Sequence, residues 1–186
     1  HGNIFDFLMK TKNFKFGESV RTLAADAGMQ PYRFTKQDEE KQNRWKNYNS
    51  ILEKYVNYCH DELRSGKYPD VKKYLKERNI SENEITFFKL GFSPSENSFF
   101  ENSKKDFDEK EISASGIYYL DENKNKYVDR FRGRIIFPVK SLNHSIFALG
   151  GRSLSKKSFA KYINSPETEF YKKGNNLYNI NGVQKF

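Results

Sequence analysis

Three arginines alternate along one short stretch of the sequence. Arg130, Arg132 and Arg134 are separated by single residues, and their neighbours are typical of a β-strand. Alternate residues of a strand share a face, so the spacing predicts three guanidinium groups side by side. Such groups repel each other unless an anion lies over them, and a guanidinium matches phosphate oxygens. The pattern indicates a phosphate-binding surface, and pairing with carboxylates such as Asp129 is the alternative.

A second group of residues that could contact an anionic ligand follows later in the sequence. Gly150 and Gly151 precede Arg152 at the end of an apolar run, and paired glycines let a backbone or a ligand approach closely. A polar segment then carries Lys161, Asn164 and Lys173. Cations and amides on such a segment are typical of contacts to an anionic ligand, although a solvated lysine would also explain each Lys.

The excess positive charge lies in the last third of the chain. The formal net charge is +9, residues 1–129 hold 22 basic and 22 acidic residues, and residues 130–186 hold 11 basic residues against Glu167 and Glu169. This distribution fits either a nucleic-acid surface or a solvated basic face. A single cysteine, no apolar run of membrane-spanning length and no signal-peptide pattern predict a cytoplasmic protein that does not enter a membrane.

Helical periodicity dominates the first half of the sequence. Short helices are expected near residues 3–10 and 16–27, and a long amphipathic helix over residues 38–63. A further helix is expected over residues 70–78, and Asn79 is suited to the left-handed turn after it. The next helix should begin at Ser81, where Glu84 completes a capping box.

Strand patterns follow in the second half. They cover residues 116–120, 126–130, 134–140 and 145–150, with turn residues at 121–124 and 141–144. Helices followed by hairpins predict an α+β fold with a small, mainly antiparallel sheet covered by helices on one face.

Four motifs stand in a fixed order between Arg132 and Tyr178. They read Arg-x-Arg-Ile-Ile-Phe-Pro-Val at 132–139, Leu-Gly-Gly-Arg at 149–152, Lys-Tyr-x-Asn-Ser-Pro-Glu-Thr at 161–168 and Lys-Gly-x-x-Leu-Tyr at 173–178. Together with residues 74–81 and 90–94, they resemble bacterial primases of the DnaG type. The resemblance covers essentially the whole chain.

The resemblance implies three segments. Residues 1–33 would be the C-terminal end of a zinc-binding domain, 34–40 a linker, and 41–186 the N-terminal subdomain of the RNA polymerase core. The full-length enzyme would be a DNA-directed RNA polymerase, a nucleotidyltransferase that makes RNA primers on single-stranded DNA. Its Zn²⁺ and its catalytic Mg²⁺ or Mn²⁺ would be held by the zinc-binding domain and a toprim subdomain, whose motifs are absent here. The segment alone is therefore expected to be inactive and to bind no metal.

The resemblance also assigns roles by motif. Arg78, Arg152 and Lys161 match basic residues that guide template, Asn164 matches a polar contact beside them, and Lys173 matches a lysine facing the active centre. Asn79, Asn175 and Asn179 depart from the family pattern. The implied partners are template, RNA primer and nucleoside triphosphates, with the replicative helicase and single-strand-binding protein for the full-length enzyme.

Two other functions remain open from the sequence. The basic cluster could hold a regulatory nucleotide or an incoming triphosphate instead of template. Alternatively, the helix over residues 38–63 could dock a helicase or polymerase through its aromatic stripe. Template, nucleotide and protein binding differ in their dependence on salt and in the surfaces they need.

Overall fold

The computed structural model describes residues 3–30, 35–96, 98–155, 158–175 and 178. Phe34, at the start of the predicted linker, and Leu177, in the last motif, lie outside these residues, as do 1, 2 and 31–33 of the predicted first segment. The chain divides into two compact units, residues 1–42 and residues 43–186. Their secondary structure confirms the α+β class.

The first unit contains two short helices, as the periodicity predicts. Helix α1 spans Ile4–Lys12, and Asn3 and Asp6 form a capping box at its start. Helix α2 spans Phe16–Asp26. The Phe5 and Phe16 rings pack with their centroids 5.6 Å apart, so an aromatic contact joins the two helices.

Helix α3, Lys36–Arg64, organises the second unit from Asn43 onward. Residues 36–40, predicted as linker, are therefore helical. The expected apolar stripe starts at Trp45, which is partly buried, and its other members are buried rather than available for docking. These are Tyr48, Ile51, Leu52, Tyr55, Val56, Cys59 and Leu63. No helix among the described residues is both long and apolar enough to cross a membrane.

Two more helices follow where the sequence predicts them. Helix α4 spans Pro69–Glu77 and α5 spans Glu82–Phe87. Asn79 between them has a φ of 56°, the left-handed conformation expected for it. Ser81 and Glu84 form the expected capping box, because each side chain accepts the other's backbone N–H.

The strands form two antiparallel sheets. Strand β1 is Gly91–Ser93, and after helices α6 (Phe99–Ser103) and α7 (Glu109–Ala114) come β2 (Tyr118–Asp121), β3 (Lys126–Asp129), β4 (Arg134–Lys140), β5 (Ile146–Ser153) and β6 (Tyr162–Asn164). One sheet has the order β1-β4-β5-β6, and the β2–β3 hairpin forms the other. A 3-10 helix spans Lys173–Asn175. Both predicted hairpins are present, whereas β1, β6, α6 and α7 were not predicted.

The four-stranded sheet is covered on both faces, not on one as expected. Ile135 and Ile136 are neighbours on β4, so they point to opposite faces, and both are fully buried. Ile136 packs with the apolar face of α3, whereas Ile135 packs with Leu63, Val71 and Leu75 at the end of α3 and on α4. The α4–α5 pair therefore supplies a second layer.

Gly151 on β5 lies opposite Ile136 and leaves room for the Phe131 ring. A Cβ built on Gly151 would lie 2.6 Å from a Phe131 ring carbon, closer than real Cβ atoms come. Phe131 is completely buried. This glycine is therefore required for a close approach between a strand and an aromatic ring.

A buried carboxylate links three parts of the core. Asp129 Oδ2 accepts hydrogen bonds from the Tyr55 hydroxyl of α3 at 2.8 Å and the Ser93 hydroxyl of β1 at 2.7 Å. Its Oδ1 accepts the backbone N–H of Phe131 at 2.6 Å. Burial, followed by the proximity of Cys59 and Asp129, raises the pKa of Tyr55 well above its ordinary value. Tyr55 thus remains a hydrogen-bond donor into alkaline conditions.

Replacing Asp129 with alanine should lower the free energy of unfolding by about 3 kcal/mol, because three buried donors lose their acceptor. The measurement is urea unfolding followed by the fluorescence of Trp45, the single tryptophan. Asp61→Ala, which removes an exposed carboxylate from α3, should change stability by less than about 0.5 kcal/mol. Equal effects of the two substitutions would contradict the central role of Asp129.

Candidate nucleic-acid interface

A groove lies where α4 meets the end of β5 and the segment leading into β6. Its volume is about 450 Å³, and its lining includes Asp70, Tyr74, Arg152 and Lys161. The sheet register explains this location. Arg152 lies opposite Ile135 on β4 and so shares the face that α4 covers. The groove thus combines two residues of α4, Asp70 and Tyr74, with two cations from the last third of the chain.

Arg152 is held between two aromatic rings. Its Cζ lies 4.3 Å from the centroid of the Tyr74 ring and 5.4 Å from that of Tyr162. Tyr162 is the cross-strand partner of Arg152 on β6. Attraction between a guanidinium and an aromatic face is worth about 0.5–2 kcal/mol, more where water is excluded. The rings therefore restrict Arg152 before any ligand arrives.

Arg78, another arginine predicted to guide template, also contacts the Tyr74 ring. Arg78 follows the last residue of α4, and its Cζ lies 5.6 Å from the Tyr74 centroid. Positions 74 and 78 are one helical turn apart, which brings the two side chains together. The structure thus brings Arg78, Arg152 and Lys161 together, with Lys161 Nζ 6.0 Å from the Tyr162 centroid.

Two polar atoms in this cluster are buried without a hydrogen-bond partner among the described residues. They are the Tyr74 hydroxyl and Arg152 Nε. A buried donor with no acceptor costs about 1–3 kcal/mol. The position of Arg152 over the Tyr74 ring therefore costs free energy. Buried polar atoms without partners are often found at binding sites.

Asn164 and Lys173 lie outside the lining of this groove. Asn164 is the last residue of β6, is exposed and pairs in register with Gly150. The next residue, Ser165, accepts the Leu149 N–H at 2.9 Å through its hydroxyl and donates its own N–H to the Leu149 carbonyl at 2.8 Å. Lys173 is exposed in the 3-10 helix.

The expectation of three arginines on one strand is wrong. Strand β3 ends at Asp129 and β4 begins at Arg134, so Arg130 and Arg132 lie in the turn between them. Gly133 in that turn has a φ of 67°, which breaks the alternation of a strand. The three side chains therefore do not form one row.

These arginines make two separate arrangements. Arg130 and Arg132 both approach the Tyr119 ring, with Cζ-to-centroid distances of 5.5 and 5.9 Å. Arg132 also donates to the backbone carbonyl, not the carboxylate, of Asp129 at 2.9 Å.

Arg134 donates instead to the Ala160 carbonyl at 2.9 Å and the Ser158 hydroxyl at 3.1 Å. Burial and then the charge of Arg132 lower the pKa of Arg134. Its guanidinium therefore fixes the chain just before Lys161.

Comparison with known proteins identifies the family. The family model described as the N-terminal domain of the DNA primase catalytic core matches residues 58–184. This chain belongs to the DNA primase family.

Similar proteins agree with this assignment. A DNA primase of Buchnera aphidicola is 36% identical over 189 residues, covering 100% of this chain and 32% of that protein. The chain thus spans about a third of the length of this curated relative.

Two solved primase structures show the same fold. The structure of the DnaG primase catalytic domain bound to ssDNA has a TM-score of 0.69 at 24% identity, covering 77% of this chain and 45% of that one. The zinc-binding and RNA polymerase domains of the Aquifex aeolicus primase have a TM-score of 0.66 at 22% identity, covering 97% and 42%.

Tyr74 is the residue of this primase-family groove that sequence reasoning missed. Within the expected helix over residues 70–78, Tyr74 lies at the apolar spacing of Val71 and Leu75, which predicts a place in the core. Only the fold shows that Arg152, 78 positions later in the sequence, lies over its ring. Among the described residues, no group of three or more His, Cys, Asp or Glu residues could hold a metal ion.

Tyr74→Phe should leave the free energy of unfolding unchanged or raise it by up to about 1 kcal/mol, because the hydroxyl removed is buried without a partner. Tyr74→Leu should lower it by about 1–3 kcal/mol, because both arginines lose the ring. Urea unfolding of the two variants provides the comparison. A loss above about 1 kcal/mol in Tyr74→Phe would show that the hydroxyl is hydrogen-bonded in solution.

Proposed function

We propose that this chain is part of a DNA primase that synthesises short RNA primers on single-stranded DNA, and that its groove binds and guides the template. The observation that carries the proposal is that Arg78 and Arg152 contact the same Tyr74 ring, while Lys161 lines the same groove as Arg152. A positive surface built on aromatic rings suits a flexible polyanion, because cations contact phosphates and exposed rings can stack on bases.

The distribution of charge supports this proposal. Residues 130–186 carry 11 basic and two acidic residues, and they supply Arg152 and Lys161. The family supports it as well, since one structural relative is described as bound to ssDNA. Arg78, Arg152, Lys161 and Asn164 would contact template, and Arg130 and Arg132 would form a second contact around Tyr119. Arg134 would position the segment that carries Lys161, and Lys173 would face the active centre.

The domain assignment is part of the proposal. Residues 1–33 would be the end of a zinc-binding domain, 34–40 a linker that is helical from Lys36, and 41–186 the N-terminal subdomain of the polymerase core. The match to the two-domain Aquifex structure over 97% of this chain supports this division.

The remaining parts of the longer protein would supply the metals. Its zinc-binding domain would hold Zn²⁺, and its toprim subdomain Mg²⁺ or Mn²⁺. It would act in the cytoplasm on nucleoside triphosphates and an RNA primer, with the replicative helicase and single-strand-binding protein as partners.

A second candidate function uses the same groove. A volume of about 450 Å³ lies within the roughly 300–1,000 Å³ of small-molecule sites. A regulatory nucleotide or an incoming triphosphate could therefore bind between Arg152 and Lys161 and compete with template. The dependence of affinity on salt distinguishes the two, because a strand that covers several phosphates releases more counterions than a compact nucleotide does.

Template binding is tested by fluorescence anisotropy of a labelled single-stranded oligonucleotide across a salt series. Arg152→Ala and Lys161→Ala should each weaken binding about tenfold at 0.1 M salt and reduce the salt slope by about one, the contribution of one phosphate contact. Lys105→Ala, which removes an exposed cation outside the groove, should leave affinity within about twofold of wild type.

Binding that is absent, or that falls equally in all three variants, would contradict the assignment of this groove to template. Far-UV circular dichroism of each variant verifies that the fold is intact. A weak salt dependence together with displacement of the oligonucleotide by a nucleoside triphosphate would favour the nucleotide site instead.

A further inference from the structure

Phe159 is fully exposed at the rim of the groove. Its relative exposure is 107%, the highest among the exposed large hydrophobic residues of the described chain. Ser158 and Lys161, which precede and follow it, line the groove, whereas Phe159 itself does not. A single exposed apolar residue is ordinary, but a second ring, Tyr162, is 64% exposed three positions later. Two exposed rings that flank a lysine of the groove need an explanation that phosphate contacts do not give.

The backbone around Phe159 is anchored. Arg134 donates to the Ala160 carbonyl at 2.9 Å and to the Ser158 hydroxyl at 3.1 Å. The Ser158 hydroxyl in turn donates to the Ala160 carbonyl at 3.0 Å. These bonds hold the residues immediately before and after Phe159, so the ring cannot fold back onto the core unless they break. The segment therefore presents Phe159 to an outside ligand.

Of the two exposed rings, Phe159 is the one left uncovered. The Tyr162 centroid already lies 5.4 Å from Arg152 Cζ, so part of that ring is in use within the protein. Phe159, at its full exposure, is covered by no described residue. Both faces of the Phe159 ring are therefore available to a flat aromatic group.

The ligand must combine flat aromatic groups with negative charge, because Arg152 and Lys161 lie in the adjoining groove. A nucleic-acid strand offers both, since each base carries an aromatic face and is joined to a phosphate. In a duplex, the neighbouring bases cover these faces, and exposing one costs unstacking energy. The combination therefore favours an unpaired strand, with its phosphates in the groove and a base at the rim.

We propose that Phe159 stacks on an unpaired base of the template and makes the groove selective for single-stranded over double-stranded DNA. The inference rests on the proposed function of the groove. Contacts from Arg152 and Lys161 to phosphates cannot supply this selectivity, because both forms of DNA carry the same phosphates. Phe159 thus detects whether the bases are unpaired.

Three labelled probes separate contacts to bases from contacts to phosphates. They are an oligothymidylate, an abasic strand of the same length and a duplex of that length. Fluorescence anisotropy at one salt concentration gives their affinities for the 186-residue chain. One stack between a base and an aromatic ring is worth roughly five- to 150-fold in affinity, which such a titration resolves.

Phe159→Ser should weaken binding of the oligothymidylate about tenfold and leave the abasic strand and the duplex within about twofold of wild type. Phe159→Tyr keeps the ring and should bind every probe within about twofold of wild type. As a matched control, Phe87→Ser removes a phenylalanine that is 62% exposed outside the groove lining, and it should change no affinity. Arg152→Ala should weaken all three probes, because they share the phosphate contact that it removes.

Phe159→Trp provides a readout of direct contact, because it places a fluorescent ring at the site. Trp45, which is partly buried against the core, contributes a constant background. The oligothymidylate should quench the added fluorescence, and the abasic strand should not. Thymidine triphosphate carries the same base with fewer phosphate contacts, so it should quench only at concentrations roughly tenfold higher or more.

Three results would overturn the proposal. Phe159→Ser could weaken the abasic strand as much as the oligothymidylate, it could change neither, or the triphosphate could quench Phe159→Trp at lower concentration than the strand. In the first two cases, weaker binding by Arg152→Ala would leave the template assignment of the groove standing, and the third would assign the ring to a nucleotide. A wild-type chain that binds no probe would contradict the proposed function and this inference together. Circular dichroism verifies the fold of each variant.

Discussion

The second unit depends on one buried carboxylate. Asp129 ends β3, and it accepts hydrogen bonds from α3, from β1 and from the turn that begins β4. A buried carboxylate is expensive to remove from water, so its donors must stay in place. Because β4 aligns β5, and β5 carries Arg152, this interaction determines where the groove lies. A residue outside the groove thus fixes the position of its principal cation.

The groove illustrates how like charges can be held close together. Arg78 and Arg152 contact one aromatic ring, whose negative face partly offsets the repulsion between them. Arg134 contributes from a distance, because it fixes the chain that leads to Lys161. Within the described residues, the partners of these cations are neutral, aromatic rings and backbone carbonyls, and none of the cations forms an ion pair. Their positive charge remains available to a polyanion, and less side-chain entropy is lost on binding.

The sequence predicted the features that local rules determine. The long helix follows from its apolar period, and Asn79 and the Ser81–Glu84 cap follow from their own conformational preferences. The prediction that three arginines form one row was wrong, because a two-residue spacing does not distinguish a strand from a turn. The positive φ of Gly133 is typical of a turn.

Tertiary contacts determine what the sequence did not show. Strands β1 and β6 each have three residues and exist through pairing, β1 with the distant strand β4 and β6 with the preceding strand β5. Tyr74 belongs to the groove, and Asp129 accepts hydrogen bonds in the core, because of contacts with residues far away in the sequence. The close approach of Phe131 to Gly151 has an evolutionary meaning. A side chain at 151 requires a smaller one at 131, so position 151 can change only together with position 131. Since Arg152 is the next residue, drift in this part of the core is restricted by the same strand that carries the binding cation.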